Sequence, residues 1–430
     1  MISAVIALAI LFALLAIGVP IGYAMGVVGF CGFGLVVGWQ PAANMVAQIA
    51  FDYSITYVLS VLPLFILMGS LFAHSRMADE LYSAANAFMG HRRGGLAMAT
   101  ILACGGFSAV SGSSLACAAT MAKVSVPLMR QYGYAPGFAA GTVAVGSTLD
   151  ILIPPSISMV IYAIITDVNL GKLMIAGFLP GLLTIACYLA VIVGVTRIWP
   201  HLGPSGKRIG WDGRLRSLKD IWPMVGLFTV SLGGIYVGIF TPTEAAGIGA
   251  CGAFLLALLR RRLRFAPFAG LLLETARTTT AIFIVIIGAL IFSNFLTVSG
   301  AASGMQEWVR SLALTKTALI LAMLAIYIGL GCVLDASAMM LLTVPVFYPV
   351  VTQAGIDPIW FGIFMVIVIG FGMIHPPLGM LLFIVKRFVP ELKTSQIFVG
   401  VAPFLIGDVV RITLLIAFPW IVLVLPGMMK

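Results

Sequence analysis

Residues 137–165 read GFAAGTVAVGSTLDILIPPSISMVIYAII, an apolar run long enough for a membrane span but interrupted by two adjacent prolines, Pro154 and Pro155. A helical span needs about 20 apolar residues. Two successive prolines remove two backbone donors and leave carbonyls without helical partners. At membrane depth such backbone is tolerated only where protein or a watery cavity satisfies it. Residues 359–385, IWFGIFMVIVIGFGMIHPPLGMLLFIV, carry the same interruption at Pro376 and Pro377. Two broken helices at equivalent places of a duplicated chain are expected.

The duplication extends beyond these pairs. A shift of 222 residues also lays Pro20 on Pro242, Pro127 on Pro349, Pro136 on Pro358 and Pro204 on Pro426. Six of the ten prolines before position 205 find a mate. Chance would supply roughly half of one match at an ordinary proline abundance of about 5%. The chain therefore reads as two repeats, 1–200 and 221–430, joined by a basic linker at 201–220.

Composition sets the class. Of 430 residues 61% are apolar and only 9% charged, and the mean hydropathy is +1.15. Soluble domains carry about 25% charged residues, so an ordinary water-soluble enzyme or binding module is excluded. Disorder is excluded too, as are outer-membrane barrels, whose strands alternate polar and apolar residues. The net charge of +10 does not mark a nucleic-acid partner. Nineteen of the 24 basic residues fall in short clusters at 74–96, 121–136, 197–220, 260–277 and 386–396, which is the pattern of cytoplasmic loops. The six cysteines lie in apolar stretches without CxxC spacing, so neither disulfides nor a zinc site are expected. The N-terminal run lacks a basic flank, and 2–17 reads as a retained helix.

Placing all basic clusters in the cytoplasm forces two crossings through 221–259, and two through its mate 2–38 with a break near Gly18 and Pro20. Each half then has five crossings plus one segment, 97–128 or 317–350, that enters and leaves on the same side. An odd number inverts the second copy. The expected fold is an all-α polytopic membrane protein, an inverted-topology repeat with two re-entrant helical hairpins and two broken transmembrane helices. This is an architecture of secondary transporters. Both termini are expected outside.

Chemistry follows from the interruptions. The first re-entrant segment contains GGFSAVSGSS (105–114), with hydroxyls at Ser108, Ser111, Ser113 and Ser114. Its mate holds GLGCVLDAS (329–337), and Ser113 falls on Asp335. Small residues alone can serve helix packing, but a carboxylate at membrane depth costs about 2.5–3.5 kcal/mol on insertion scales and points to function. The carbonyls freed at both proline pairs, with half-helix ends facing the gap, suit a dehydrated cation. Sodium, a hard ion, fits such oxygen ligands by the logic that assigns them to calcium and magnesium. Proton coupling would need titratable relays, for which Asp150, Glu244, Asp335, His375 and Asp408 are the membrane candidates. Glu244, in TPTE (241–244), reads as a helix-start acid. No phosphate loop, HExxH or nucleophile elbow is present, and neither ATP hydrolysis nor another enzymatic activity is expected.

These residues carry a resemblance. GGFSAVSGSSLA (105–116), LIPPSISMVIYA (152–163), TPTEAA (241–246), GCVLDASAMMLLTVP (331–345) and PPLGMLLFIV (376–385), in this order, resemble the large DctM-type membrane subunit of tripartite ATP-independent periplasmic (TRAP) transporters over nearly the whole chain. The resemblance implies a sodium-driven, elevator-type importer in the bacterial inner membrane. It would take an organic acid from a periplasmic substrate-binding protein and work beside a small four-helix membrane subunit. It places Ser111, Ser113, Ser156 and Asp335 at the substrate. Ser114, Pro154, Gly331, Ser337, His375 and Pro376 fall at sodium sites, of which at least two are implied. Asp150, a candidate for coupling or gating, stands where the family usually has glycine, and His375 where it usually has threonine. The rival reading is a stand-alone sodium- or proton-coupled di- or tricarboxylate carrier of related architecture.

Overall fold

A computed structural model describes residues 2–429 apart from 76, 261–264, 313, 332–333 and 377–378. Among the described residues every regular element is helical. The first half runs α1 (Ile2–Ala16), α2 (Ile21–Val37), α3 (Trp39–Ile55), α4 (Val61–His74), α5 (Met77–Met89), α6 (Gly95–Ser111), α7 (Ser114–Gln131), α8 (Pro136–Gly146), α9 (Ile157–Thr166), α10 (Leu170–Ala176) and α11 (Phe178–Ile198). The second half runs α12 (Trp211–Val237), α13 (Pro242–Leu259), α14 (Phe265–Val298), α15 (Ala301–Ser311), α16 (Lys316–Gly331), α17 (Ala336–Gln353), α18 (Pro358–Gly372), α19 (Met380–Phe388), α20 (Thr394–Ala417) and α21 (Trp420–Met428). Among the described residues seven helices are long and apolar enough to cross a membrane.

Proline and glycine set the breaks. The run 2–38 parts between α1 and α2, where Gly18 takes a φ of 89° and Pro20 precedes the first turn of α2, a conformation that glycine adopts without penalty. The run 221–259 parts at Gly238, with a φ of 79°, and α13 opens on Pro242. There Thr241 and Glu244 form a capping box, the carboxylate accepting from the Thr241 backbone N–H at 2.8 Å. Glu244 is thus the helix-start acid that its sequence context suggests. Pro136 and Pro358 both open helices, where the missing N–H costs nothing.

The halves exchange partners. At a shift of 222 residues α7 corresponds to α17 and α9 to α19. In space α7 packs on α19, and α17 packs on α9. Likewise α2 packs on α14, and α4 on α13. Both α7 and α17 therefore lie against the helix that follows the double-proline break of the other half, α19 and α9 respectively.

Glycines permit the closest of these approaches. A Cβ at Gly29 of α2 would lie 2.7 Å from the Phe292 Cα of α14. One at Gly141 of α8 would lie 2.5 Å from the Gly400 carbonyl carbon of α20 and 2.8 Å from the Val401 nitrogen. Gly141→Leu is expected to force α8 from α20, with a cost of about 1–3 kcal/mol or more for overpacking. A lowered Tm and lowered monodisperse yield after detergent extraction would show it. Unchanged values would mean that the two backbones do not approach this closely.

Two segments depart from the sequence reading. The cluster 260–277, read as cytoplasmic loop, is helical from Phe265, in a helix that continues to Val298. The earlier part is held by packing, with Leu271 buried and Phe268 5.3 Å from Phe254, centroid to centroid. The basic linker 201–220 is helical from Trp211. Arg214 is buried there, and its Nε donates to the Ala87 carbonyl at 3.0 Å. Of the arginine run 260–264, Arg260 pairs with Glu80 and donates to the Asp220 carbonyl at 2.6 Å; the rest of that run lies outside the described residues.

Candidate functional site

The turn between α6 and α7 consists of Gly112, with a φ of 62°, and Ser113. Ser113 N-caps α7, its Oγ accepting from the Ala116 N–H at 3.4 Å. Asp335 does the same for α17, accepting from the Ala338 N–H at 2.9 Å. A side-chain oxygen at this place satisfies an orphan donor of the first turn, so Ser113 and Asp335, which coincide at the 222-residue shift, do equivalent work. The residues between α16 and Asp335 include 332–333, outside the described set.

The first break is well defined. After α8 the backbone tightens into a 3-10 turn, Ser147–Ile151, and then runs irregularly to Ser156. The Pro154–Pro155 bond is cis. Ser156 N-caps α9, accepting from the Met159 N–H at 3.5 Å while its hydroxyl donates to the Ile151 carbonyl at 2.6 Å. The first turn-back tip abuts this break, since a Cβ on Gly112 would lie 3.2 Å from the Pro155 carbonyl oxygen. At the second break α18 ends at Gly372 and α19 starts at Met380. Gly331, the last residue of α16, approaches it so closely that a Cβ there would lie 2.7 Å from the Gly372 Cα. Pro377 falls outside the described residues.

A cavity of about 320 Å³ joins the two halves. Its wall takes Ser111, Gly112, Ser113 and Ser114 from the first tip, Asp335, Ala336 and Ser337 from the second, and Asp150 and Met373 from beside the breaks. Ser158 of α9 contributes as well. The remaining wall comes from Gly69, Ser70 and His74 of α4 and Glu274, Thr278 and Ile282 of α14. Gly69 lets α4 run directly against the tip: a Cβ there would lie 2.9 Å from the Ser111 Cα. Asp150 is 1% exposed, and its Oδ1 accepts from the Ser111 hydroxyl.

Ser111, Ser113, Ser114, Asp150, Asp335 and Ser337 are therefore brought together. The other candidates sit elsewhere. Ser156 and Pro154 are buried in the first break without reaching the cavity wall. Gly331 is packed against Gly372, His375 lies 5.0 Å from the Phe371 ring, centroid to centroid, and Pro376 is exposed. Sequence reasoning missed Ser158, His74, Glu274 and Thr278. It also missed the partner of Asp408: Arg411, one helical turn on, whose NH2 lies 2.7 Å from the Asp408 Oδ1 with both side chains buried. The spacing Asp408–Arg411 in an apolar helix was the available signal, since intramembrane charges pair with one another.

A chain helical in every regular element among its described residues, with several membrane-spanning helices and a cavity lined in part by hydroxyls and carboxylates at the junction of its two halves, defines a class, the polytopic membrane transporters. Solved structures of that class share the fold. The YdaH transporter of Alcanivorax borkumensis aligns with a TM-score of 0.61 over 86% of this chain and 90% of that one, at 15% identity. MtrF of Neisseria gonorrhoeae aligns with a TM-score of 0.57 over 88% and 84%. Residues 8–421 match the model of the DctM component of the tripartite ATP-independent periplasmic transporters, and the chain belongs to that family. The C4-dicarboxylate TRAP transporter large permease protein DctM of Pseudomonas aeruginosa is 36% identical over 88% of each chain. The sialic acid TRAP transporter large permease protein SiaM of Vibrio cholerae is 29% identical over 96% of each. In the isethionate permease DctMQ of Oleidesulfovibrio alaskensis, 30% identical, the match covers 91% of this chain and 61% of that one. These relatives are transporter permease subunits, not enzymes.

Proposed function

We propose that this large permease subunit imports a small organic acid together with at least two sodium ions, in the bacterial inner membrane with both termini periplasmic. A periplasmic substrate-binding protein delivers the acid, and a small four-helix membrane subunit stands beside the chain. The observation that carries the reading is the convergence of both cap residues, Ser113 and Asp335, on one cavity. Equivalent parts of inverted repeats meeting at a shared site is how secondary transporters bind substrate and ions together. Three relatives named for C4-dicarboxylates, sialic acid and isethionate support an acidic substrate. The oxygen-rich tips and the Pro155 carbonyl at the first break support a hard cation. Helix pairs α6–α7 and α16–α17 act as re-entrant hairpins that move with the broken helices, elevator-fashion, against α2, α4, α13 and α14.

Sodium in excess of substrate charge makes accumulation favourable, each net charge drawing about 2.3 kcal/mol from 100 mV. Uptake into proteoliposomes holding the chain and its small subunit, with binding protein outside, is expected only under an inward sodium gradient. Replacing sodium by potassium should abolish it. Uptake driven equally by potassium or by a proton gradient would end the sodium reading. Uptake undiminished without the binding protein would mark a stand-alone carrier instead.

A further inference from the structure

Charge in the cavity is one-sided. Asp150, Asp335 and Glu274 line it, His74 stands on the α4 wall, and among the described lining residues there is neither lysine nor arginine. The halves differ at one point of their breaks. The mate of Asp150 at the 222-residue shift is Gly372, where a Cβ would lie 2.8 Å from the Gly331 Cα. A side chain has no room there. In the first half the same place carries a carboxylate that borders the cavity and is fixed by the Ser111 hydroxyl.

We propose that Asp150 makes this cavity selective for acids that also carry a cationic centre, such as an ammonium, a quaternary ammonium or an amidinium. The proposal rests on the transport reading above and narrows its substrate class. A carboxylate entering the cavity can use tip hydroxyls, backbone N–H groups and bound cations. A second carboxylate would then face Asp150, in surroundings where like charges repel far more strongly than in water. A zwitterion instead sets its positive group against Asp150, with the hydroxyls of Ser111 and Ser158 as further acceptors. Such a group is neutralised by the protein, without an additional sodium ion. Discrimination of this kind works by repelling the wrong ligand as well as holding the right one.

The test uses the complete three-component system in proteoliposomes under a sodium gradient, offered a deproteinised small-molecule extract of the source cells. Mass spectrometry identifies what accumulates. The expected result is one or more zwitterionic or net-neutral acids, with dianions such as succinate left outside. Asp150→Asn keeps a hydrogen-bond acceptor for Ser111 and removes only the charge. It should lower uptake of the identified compound about 30-fold or more, as for removal of one partner of a buried charge pair, with sodium dependence retained. Sodium-driven accumulation of a dianion, or undiminished uptake by the Asn variant, overturns the proposal while leaving the transport reading intact. The same holds if Asp150→Asn changes only the number of sodium ions carried. Failure to accumulate any compound under the gradient sinks the transport reading and this proposal with it.

Discussion

Asp335→Ala is expected to abolish uptake while leaving a folded, membrane-inserted protein. Asp335 has two duties, and they differ in size. As N-cap of α17 it accepts one backbone hydrogen bond, and losing a cap costs about 1 kcal/mol, little for a chain of 430 residues. As a carboxylate on the cavity wall it is, under the proposed function, the charge that the second tip brings to the substrate site. Removing one partner of a buried charge pair costs about 2–5 kcal/mol, and each 1.4 kcal/mol is a factor of ten. Initial uptake rates in proteoliposomes should therefore fall roughly 30- to 4,000-fold. Asp335→Asn separates the duties, because asparagine caps as well as aspartate but carries no charge. If Asn fails as badly as Ala, charge is the requirement; if Asn transports normally, only the cap matters. Near-normal uptake by both variants, with normal expression, would remove the cavity from the transport path.

Local chemistry accounts for what the sequence disclosed. Proline and glycine act on their own backbone, so Gly18, Gly112, Gly238 and the pair Pro154–Pro155 mark breaks wherever the chain goes next. The 222-residue spacing of six prolines exposed the repeat, and the helix bounds follow it closely. The cap residues Ser113 and Asp335 were legible for the same reason. What the sequence concealed depends on packing between distant segments. Ser156 and Ser158 flank the start of α9 with the same hydroxyl. The first is consumed by the Ile151 carbonyl, and the second reaches the cavity. A capping position is itself a hint that the hydroxyl is already engaged. Glu274 was hidden by its neighbours, because the basic segment 260–277 reads as loop although the chain is helical from Phe265 onward. Nothing local to Asp408 announces Tyr188, 220 residues away.

That distant contact supports the largest expected change in stability. Asp408 and Arg411 form a buried pair on α20. The Tyr188 hydroxyl of α11 donates to the Asp408 Oδ1 at 2.7 Å, and Arg411 NH1 donates to the Thr184 hydroxyl at 3.1 Å. Tyr188 also lies 3.3 Å, oxygen to oxygen, from Thr148 in the 3-10 turn that carries Asp150. Arg411→Met leaves Asp408 as an uncompensated charge and should destabilise the protein by about 3–5 kcal/mol. Thermal unfolding in lipid nanodiscs would measure this as a marked fall in Tm. Asp408→Leu combined with Arg411→Met should recover most of that loss, because a buried pair replaced by apolar residues of similar volume is often neutral. Transport separates a second role. If the pair only fills the interior, the recovered double variant transports normally. If it holds Tyr188 against Thr148, and so sets where the 3-10 turn places Asp150, the double variant is stable yet slow. The second outcome is the expected one, because Thr148 and Asp150 share a single turn between α8 and the proline break, and movement of one displaces the other. A single variant Arg411→Met with unchanged Tm would show that Asp408 carries no charge to strand, and the pair would then have no claim on the geometry of the break.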